Sequence, residues 1–172
     1  ALHEADDRGR DHLELLAGAA RGLQVLGQRA AGLLGRQLDN ALMATTLGEI
    51  AEERSADFIV VAGDVFEHNS LESVTRGRAM EALRKLPVPV YLLPGNHDPL
   101  VADSVFYKTS ADNVHVIADS QPIEVAPGVE LVGAPYLSKR ANHDLVRHAL
   151  EPLEPAEGIR IAVGHGQVDS RS

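Results

Sequence analysis

The sequence predicts a mixed α/β domain, with two packed sheets and helices on the outside. Three observations carry this. From about Asp57 onward, short β-rich runs alternate with helix-like segments. At 172 residues with 44% hydrophobic side chains, the chain can bury one respectable core and is short for two. Three apolar runs, FIVVA, VYLLP and IRIAV, each hand over to a short polar signature: Gly63-Asp64, Gly95-Asn96-His97-Asp98 and Gly164-His165-Gly166.

Taken in order, residues 11–38 come first. Leu13, Leu16, Ala20, Leu23, Leu26, Ala30 and Leu33 recur at steps of three or four and predict an amphipathic helix. Glycines at 18, 22, 27, 32 and 35 oppose it, each costing roughly 1 kcal/mol relative to Ala in a helix interior. Residues 1–38 are therefore set apart as a glycine-rich helical N-terminal segment, and residues 39–172 as the core. Residues 41–54 form a more ordinary helix. Phe58 to Ala62 reads as a buried strand. Val74, Met80, Leu83 and Leu86 among charged neighbours predict a helix over residues 72–86 that stops before Pro87. Val88 to Leu93 is the next strand. Val114 to Ala118, Ile123 to Val125 and Val129 to Val132 are separated by Pro and Gly and predict three short strands close to an antiparallel meander. Residues 141–150 suggest a helix, and Arg160 to Val163 a last strand.

Composition narrows the chemistry. There is no cysteine, so disulfides, thiolate zinc sites and cysteine nucleophiles are excluded. A metal has to be held by oxygen and imidazole. No apolar stretch approaches the roughly 18 residues of a membrane span, and no basic region followed by an apolar one marks a secretory signal. The expected location is the cytoplasm, with no membrane partner. Sixteen basic against 25 acidic residues give a net charge of −9, which argues against broad electrostatic attraction to DNA. It does not exclude a nuclease, because acidic residues around bound cations form a neutralised site in the loaded protein. No GxxxxGK[ST], GxSxG or HExxH pattern is present, which disfavours a P-loop, a serine-hydrolase elbow and a zincin site.

Singly, each polar signature has an ordinary explanation as a turn or cap. Together they place Asp, Asn and His where strands become loops, and these side chains ligate hard or borderline divalent ions. Asp64 can bridge two cations about 3.5 to 4 Å apart, the spacing of two-metal hydrolysis. Asn96 offers a carbonyl oxygen and His165 an imidazole nitrogen. His97 could contact a phosphate and protonate a leaving oxygen. Asp98 has two readings, a cap for the following segment or a support for the loop that aims His97. His115 reads as structural, and His143 and His148, five apart and off a shared helical face, as solvated.

These residues carry a family resemblance. GDVFEHN at 63–69, PVPVYLLPGNHDP at 87–99 and VGHGQVD at 163–169 resemble successive motifs of the calcineurin-like metallophosphoesterases. DNVHVI at 112–117 and GVELVGAPYLSKR at 128–140 resemble its branch of bacterial DNA-repair exonuclease subunits of the SbcD type. The resemblance implies a four-layer α/β/β/α fold, two divalent metal ions of the Mn2+ type and phosphodiester hydrolysis. DNA is then the substrate, and an SbcC-like ATPase and a second copy in a homodimer are the implied partners. In that scheme Asp64 bridges the metals, Asn96 and His165 are ligands, and His97 is the transition-state acid.

Departures from the pattern are equally specific. The family opens on a strand ending in Asp-x-His or Asp-x-Gln, and the nearest counterpart is Leu2 to Arg8, in which Asp6 takes the metal-ligand role. Arg8 cannot replace the His, since a guanidinium has no acceptor. Another GHxH-like motif of the family would lie beyond Ser172, so the fold is expected to be incomplete at its C-terminus and irregular at its N-terminus. Glu67 stands where nuclease relatives carry a His that assists the acid, and His68 is its nearest substitute. The leading expectation is a metal-dependent DNA exonuclease or endonuclease. The alternatives are a catalytically incomplete partner-binding module and a small-molecule phosphoesterase of the same family.

Overall fold

The computed structural model describes residues 24–26 and 39–166. Among these residues, seven strands and three helices follow in the order β1 (Gln24–Leu26), α1 (Asp39–Glu53), β2 (Ile59–Ala62), α2 (Ser73–Arg84), β3 (Val90–Leu93), β4 (Val114–Val116), β5 (Ile123–Ala126), β6 (Val129–Ala134), α3 (Leu145–Leu150) and β7 (Ile159–Gly164). A short 3-10 turn at Val105–Lys108 interrupts the connection from β3 to β4. Strands β1 to β4 form one parallel sheet in sequence order, and β5, β6 and β7 form a second sheet.

β2 and β3 are central in the first sheet, and their residues are almost all buried, which is why they read as unbroken apolar runs. Alternation sends their side chains to two different cores. Ile59, Val61, Val90 and Leu92 pack with Ala79, Met80 and Leu83 of α2 and with Leu47 and Ala51 of α1. Phe58, Val60, Tyr91 and Leu93 point the other way, onto Ile117, Leu131 and Val163. Leu131 and Val163 belong to β6 and β7, so this second core lies between the sheets. On the far face of the second sheet, Val132 and Ala134 meet Ala149, Leu145 and Val146 of α3. The layers are thus helix, sheet, sheet, helix, as expected. No helix among the described residues is long and apolar enough to cross a membrane.

Two expectations are corrected. Residues 24–26 lie in the segment read as a helix, yet they form β1, paired in parallel with β2 from Gln24↔Ile59 to Leu26↔Val61. Apolar steps of three or four fit a helix, but a neighbouring strand supplies a ladder for these three residues. The remainder of the expected helix falls outside the described residues. The second correction concerns the meander. β4 joins the first sheet in parallel with β3, Val90↔Val114 to Leu92↔Val116, because residues 94–113 are long enough to act as a crossover. β5 and β6 are antiparallel, as expected, and β7 runs parallel to β6.

The helices end for legible reasons. α2 stops at Arg84, and Lys85 donates its N–H back into the last turn just ahead of Pro87. α3 starts at Leu145 rather than at 141 because the Asp144 carboxylate accepts the Arg147 N–H at 3.0 Å, a side-chain N-cap.

Leu93 is fully buried between the sheets, next to the loop that follows β3. Leu93→Ala is expected to cost about 2–5 kcal/mol of stability. The reading is a lower urea midpoint at an unchanged slope, and an unmoved midpoint would mean that this layer does not hold the sheets together.

Candidate metal centre

β2, β3 and β7 deliver the three polar signatures to one place. The register pairs Ala62 with Leu93, so the loops after β2 and β3 leave the sheet side by side. β7 brings its last residues over the same edge from the second sheet. The chain turns sharply after β2, with Gly63 at φ 82° and Asp64 at φ 48°. Asp is among the few side chains that enter the left-handed region readily. Gly63 is required for a further reason: a Cβ there would fall 2.2 Å from Cγ of His165. Gly95 is equally confined, since its Cβ would lie 2.3 Å from Oδ1 of Asp64.

Asp64, Asn96 and His165 meet. His165 Nε2 is 3.0 Å from Asn96 Oδ1 and 3.1 Å from Asp64 Oδ2, and its Nδ1 is 3.0 Å from the carbonyl oxygen of Ala62. The His165 side chain is only 2% exposed, whereas that of Asp64 is 26% exposed and open to a ligand. Nδ1 can engage a carbonyl only as a donor, so Nε2 of the neutral ring presents a lone pair. That lone pair faces two further oxygen acceptors. Such a convergence accommodates a proton or a cation between the three atoms.

The spacing fits a cation. Ligands about 2.1 Å from an octahedral ion stand about 3 Å from one another. The Ala62 carbonyl supplies the outer hydrogen bond that commonly fixes the tautomer of a ligating histidine. Asp64, Asn96 and His165 therefore suit one divalent ion. Among the described residues there is no group of three or more His, Cys, Asp or Glu side chains placed to hold a metal, so the amide of Asn96 completes the triplet. Asp6, the fourth expected ligand, lies outside the described residues, as do Arg8, His3 and His12.

His97 sits on the same loop with an exposed side chain. Its backbone N–H donates to Asp64 Oδ1 at 3.1 Å, which ties the loop after β3 to the first ligand. The structure decides between the two readings of Asp98. This fully buried carboxylate accepts the Gly95 N–H at 2.8 Å and the Phe66 N–H at 2.7 Å, so it clamps the loops after β3 and β2 together. Burial pushes its carboxyl above the usual carboxylate range; the N–H bonds from Phe66 and Gly95 oppose that shift, and the neighbouring Asp64 adds to it.

Sequence reasoning missed Asn69. Its amide donates to the Pro99 carbonyl at 2.8 Å, and its oxygen accepts the Ser104 hydroxyl and the Val105 N–H, each at 3.0 Å. All three partners lie 30 or more residues away, so no local pattern announces the role. His68 is exposed and turned to the Ser70 hydroxyl at 3.2 Å, with no hydrogen bond to His97. His115 stacks on Tyr91, in line with a structural role.

Against this geometry, the sequence profile described as calcineurin-like phosphoesterase matches residues 38–171. The chain belongs to that family. That family is one of phosphoesterase-type hydrolases, a class that works with divalent metal ions. Among curated proteins it is similar to two described as DNA double-strand break repair protein Mre11. With that of Archaeoglobus fulgidus it is 42% identical over 76 residues, which is 42% of this chain and 17% of the relative. With that of Saccharolobus solfataricus it is 26% identical over 149 residues, 81% of this chain and 38% of the relative. The chain thus spans well under half the length of the curated relatives it matches.

Asp98→Asn tests the clamp. An amide can accept only one of the two N–H groups and turns its own NH2 toward the other, so a loss of about 2–3 kcal/mol in unfolding free energy is expected. Unchanged stability in urea denaturation would show that the two loops hold their positions without the carboxylate.

Proposed function

We propose that the chain is the catalytic core of a DNA nuclease, nearest the SbcD type, that hydrolyses phosphodiester bonds with two divalent ions of the Mn2+ class. The observation that carries this reading is the convergence of Asp64, Asn96 and His165, with His97 exposed beside them. The similarity to two DNA-repair proteins supports DNA as the substrate class. Asp64, Asn96 and His165 would hold one ion, and Asp6 would join Asp64 in holding the other. When bound, the ions supply an activated water and offset negative charge on the phosphate.

The protein's own side chains do the rest. The Ala62 carbonyl holds the His165 ring so that Nε2 faces the centre. Asp64 serves two purposes, since Oδ2 points at His165 while Oδ1 accepts the His97 N–H and fixes the height of that loop. His97, with no side-chain hydrogen bond among the described residues, is free to bind the phosphate and to hand a proton to the leaving oxygen. An SbcC-like ATPase and a second copy of the chain are the proposed partners. One observation favours a second reading, a partner-binding module without turnover: among the described residues Asp64 and His165 are joined by no third carboxylate or imidazole.

Manganese-dependent cleavage of DNA ends, and of an activated phosphodiester, distinguishes these readings. His97→Ala is expected to keep manganese affinity and to lose about 10²- to 10⁴-fold in turnover. Asp64→Ala should lose both. Full turnover by His97→Ala would overturn its role as the acid. Manganese binding with no hydrolysis of either substrate by the parent chain would overturn the nuclease reading in favour of the module.

A further inference from the structure

His143 and His148 are exposed, as expected, yet their rings are not the separate pair that a helical wheel suggests. The wheel does not apply, because Asp144 caps α3 and His143 lies outside the helix. His148 donates its backbone N–H to the Asp144 carbonyl, which places it in the first turn. The two residues therefore hold the positions just before the cap and four residues into the helix. Two apolar side chains often meet there as a hydrophobic staple. Here the pair is two imidazoles, with ring centres 5.2 Å apart and planes at 74°.

Apolar side chains would staple the turn better than imidazoles, whereas imidazoles bring ligating nitrogens. Two imidazoles on one tetrahedral ion, each bound at about 2.0–2.1 Å, put their ring centres about 5 Å apart. The observed separation matches that value before any ion is added. His143 Nδ1 lies 3.0 Å from Asn142 Oδ1, which accepts, so Nδ1 carries the proton and Nε2 is left with its lone pair. This is the outer hydrogen bond that orients a ligating histidine. The His148 ring makes no hydrogen bond among the described residues. Both histidines line a cavity of about 430 Å³, and both are exposed, so an ion has access from solvent.

We propose that His143 and His148 form a second metal site, separate from the Asp64 centre and specific for a borderline transition-metal ion of the Zn2+ class. Two nitrogen ligands select against Mn2+, which binds such donors more weakly than Zn2+ or Cu2+. No third His, Cys, Asp or Glu joins them among the described residues, so the ion keeps its other positions for water or an incoming ligand.

The test is a Zn2+ titration by calorimetry of the full chain in an Asp64→Ala background, which removes the other centre, with His148→Ala and His143→Ala added singly. The expected result is one Zn2+ site in the parent that weakens tenfold or more in each histidine variant. Manganese binding of the chain with Asp64 intact should be unchanged by His148→Ala. As a measurement that needs no variant, nitrogen-15 spectra of the histidine rings should show His143 and His148 shifting together as Zn2+ is added. Zn2+ affinity unchanged in both histidine variants, or ring signals that do not move, would overturn the proposal.

Discussion

The carboxylate of Asp98 is the constraint on which the candidate centre depends. The candidate ligands come from loops, and loops hold position only when something fixes their backbones. Asp98 does so with one oxygen on the Gly95 N–H and the other on the Phe66 N–H. Its burial makes those bonds strong and makes their loss costly, because a buried N–H without a partner carries the full desolvation penalty. Asn69 repeats the device one layer out, joining the loop after β2 to Pro99, Ser104 and Val105. A floppy pair of loops thereby becomes a fixed platform for Asp64, Asn96 and His97.

Electrostatics then explains why the platform invites a cation. Nε2 of His165 is held 3.0 Å from the Asn96 amide oxygen and 3.1 Å from the Asp64 carboxylate, while the Ala62 carbonyl engages Nδ1 and the His97 N–H engages the other Asp64 oxygen. Proteins rarely aim lone pairs at each other without an ion or a proton between them, since like ends of dipoles repel strongly where water is excluded. Gly63 and Gly95 are part of this: side chains at either position would occupy the space in which His165 and Asp64 approach. The same density of acceptors makes the overall negative charge of the chain a poor guide to its ligands.

Much of this was legible in the sequence, and the reason is geometric. Parallel strands buried on both faces give unbroken apolar runs, so β2 and β3 announced themselves, and the polar residues just after them had to share one edge of the sheet. Pairing partners were less legible. β4 carries the same kind of short β-rich run as β5 and β6, yet it belongs to the other sheet, because periodicity records which face is buried and not which strand lies alongside. Gln24 to Leu26 went unread as a strand since three residues are too few to show alternation. Asp98 and Asn69 were visible as residues, but their work is done with backbone groups distant in sequence. His143 and His148 are exposed, as the sequence suggested, but the contact between their rings was not legible, because a cap at Asp144 resets the helical count.

The bond from His165 to the Ala62 carbonyl joins residues 103 apart in sequence, and the Asn96 oxygen that its Nε2 faces is 69 residues away. Contacts of such separation are among the last to become favourable as a chain folds, since the closure entropy of the intervening segment must be met first. Strand β7 therefore has to dock on β6 before the triplet exists. An ion that binds only the closed arrangement is linked to that docking and adds to the stability of the second sheet. Occupancy of the candidate centre would thus double as a report on maturation: a chain in which β7 has not yet docked has the first sheet's residues in hand and lacks His165 beside them.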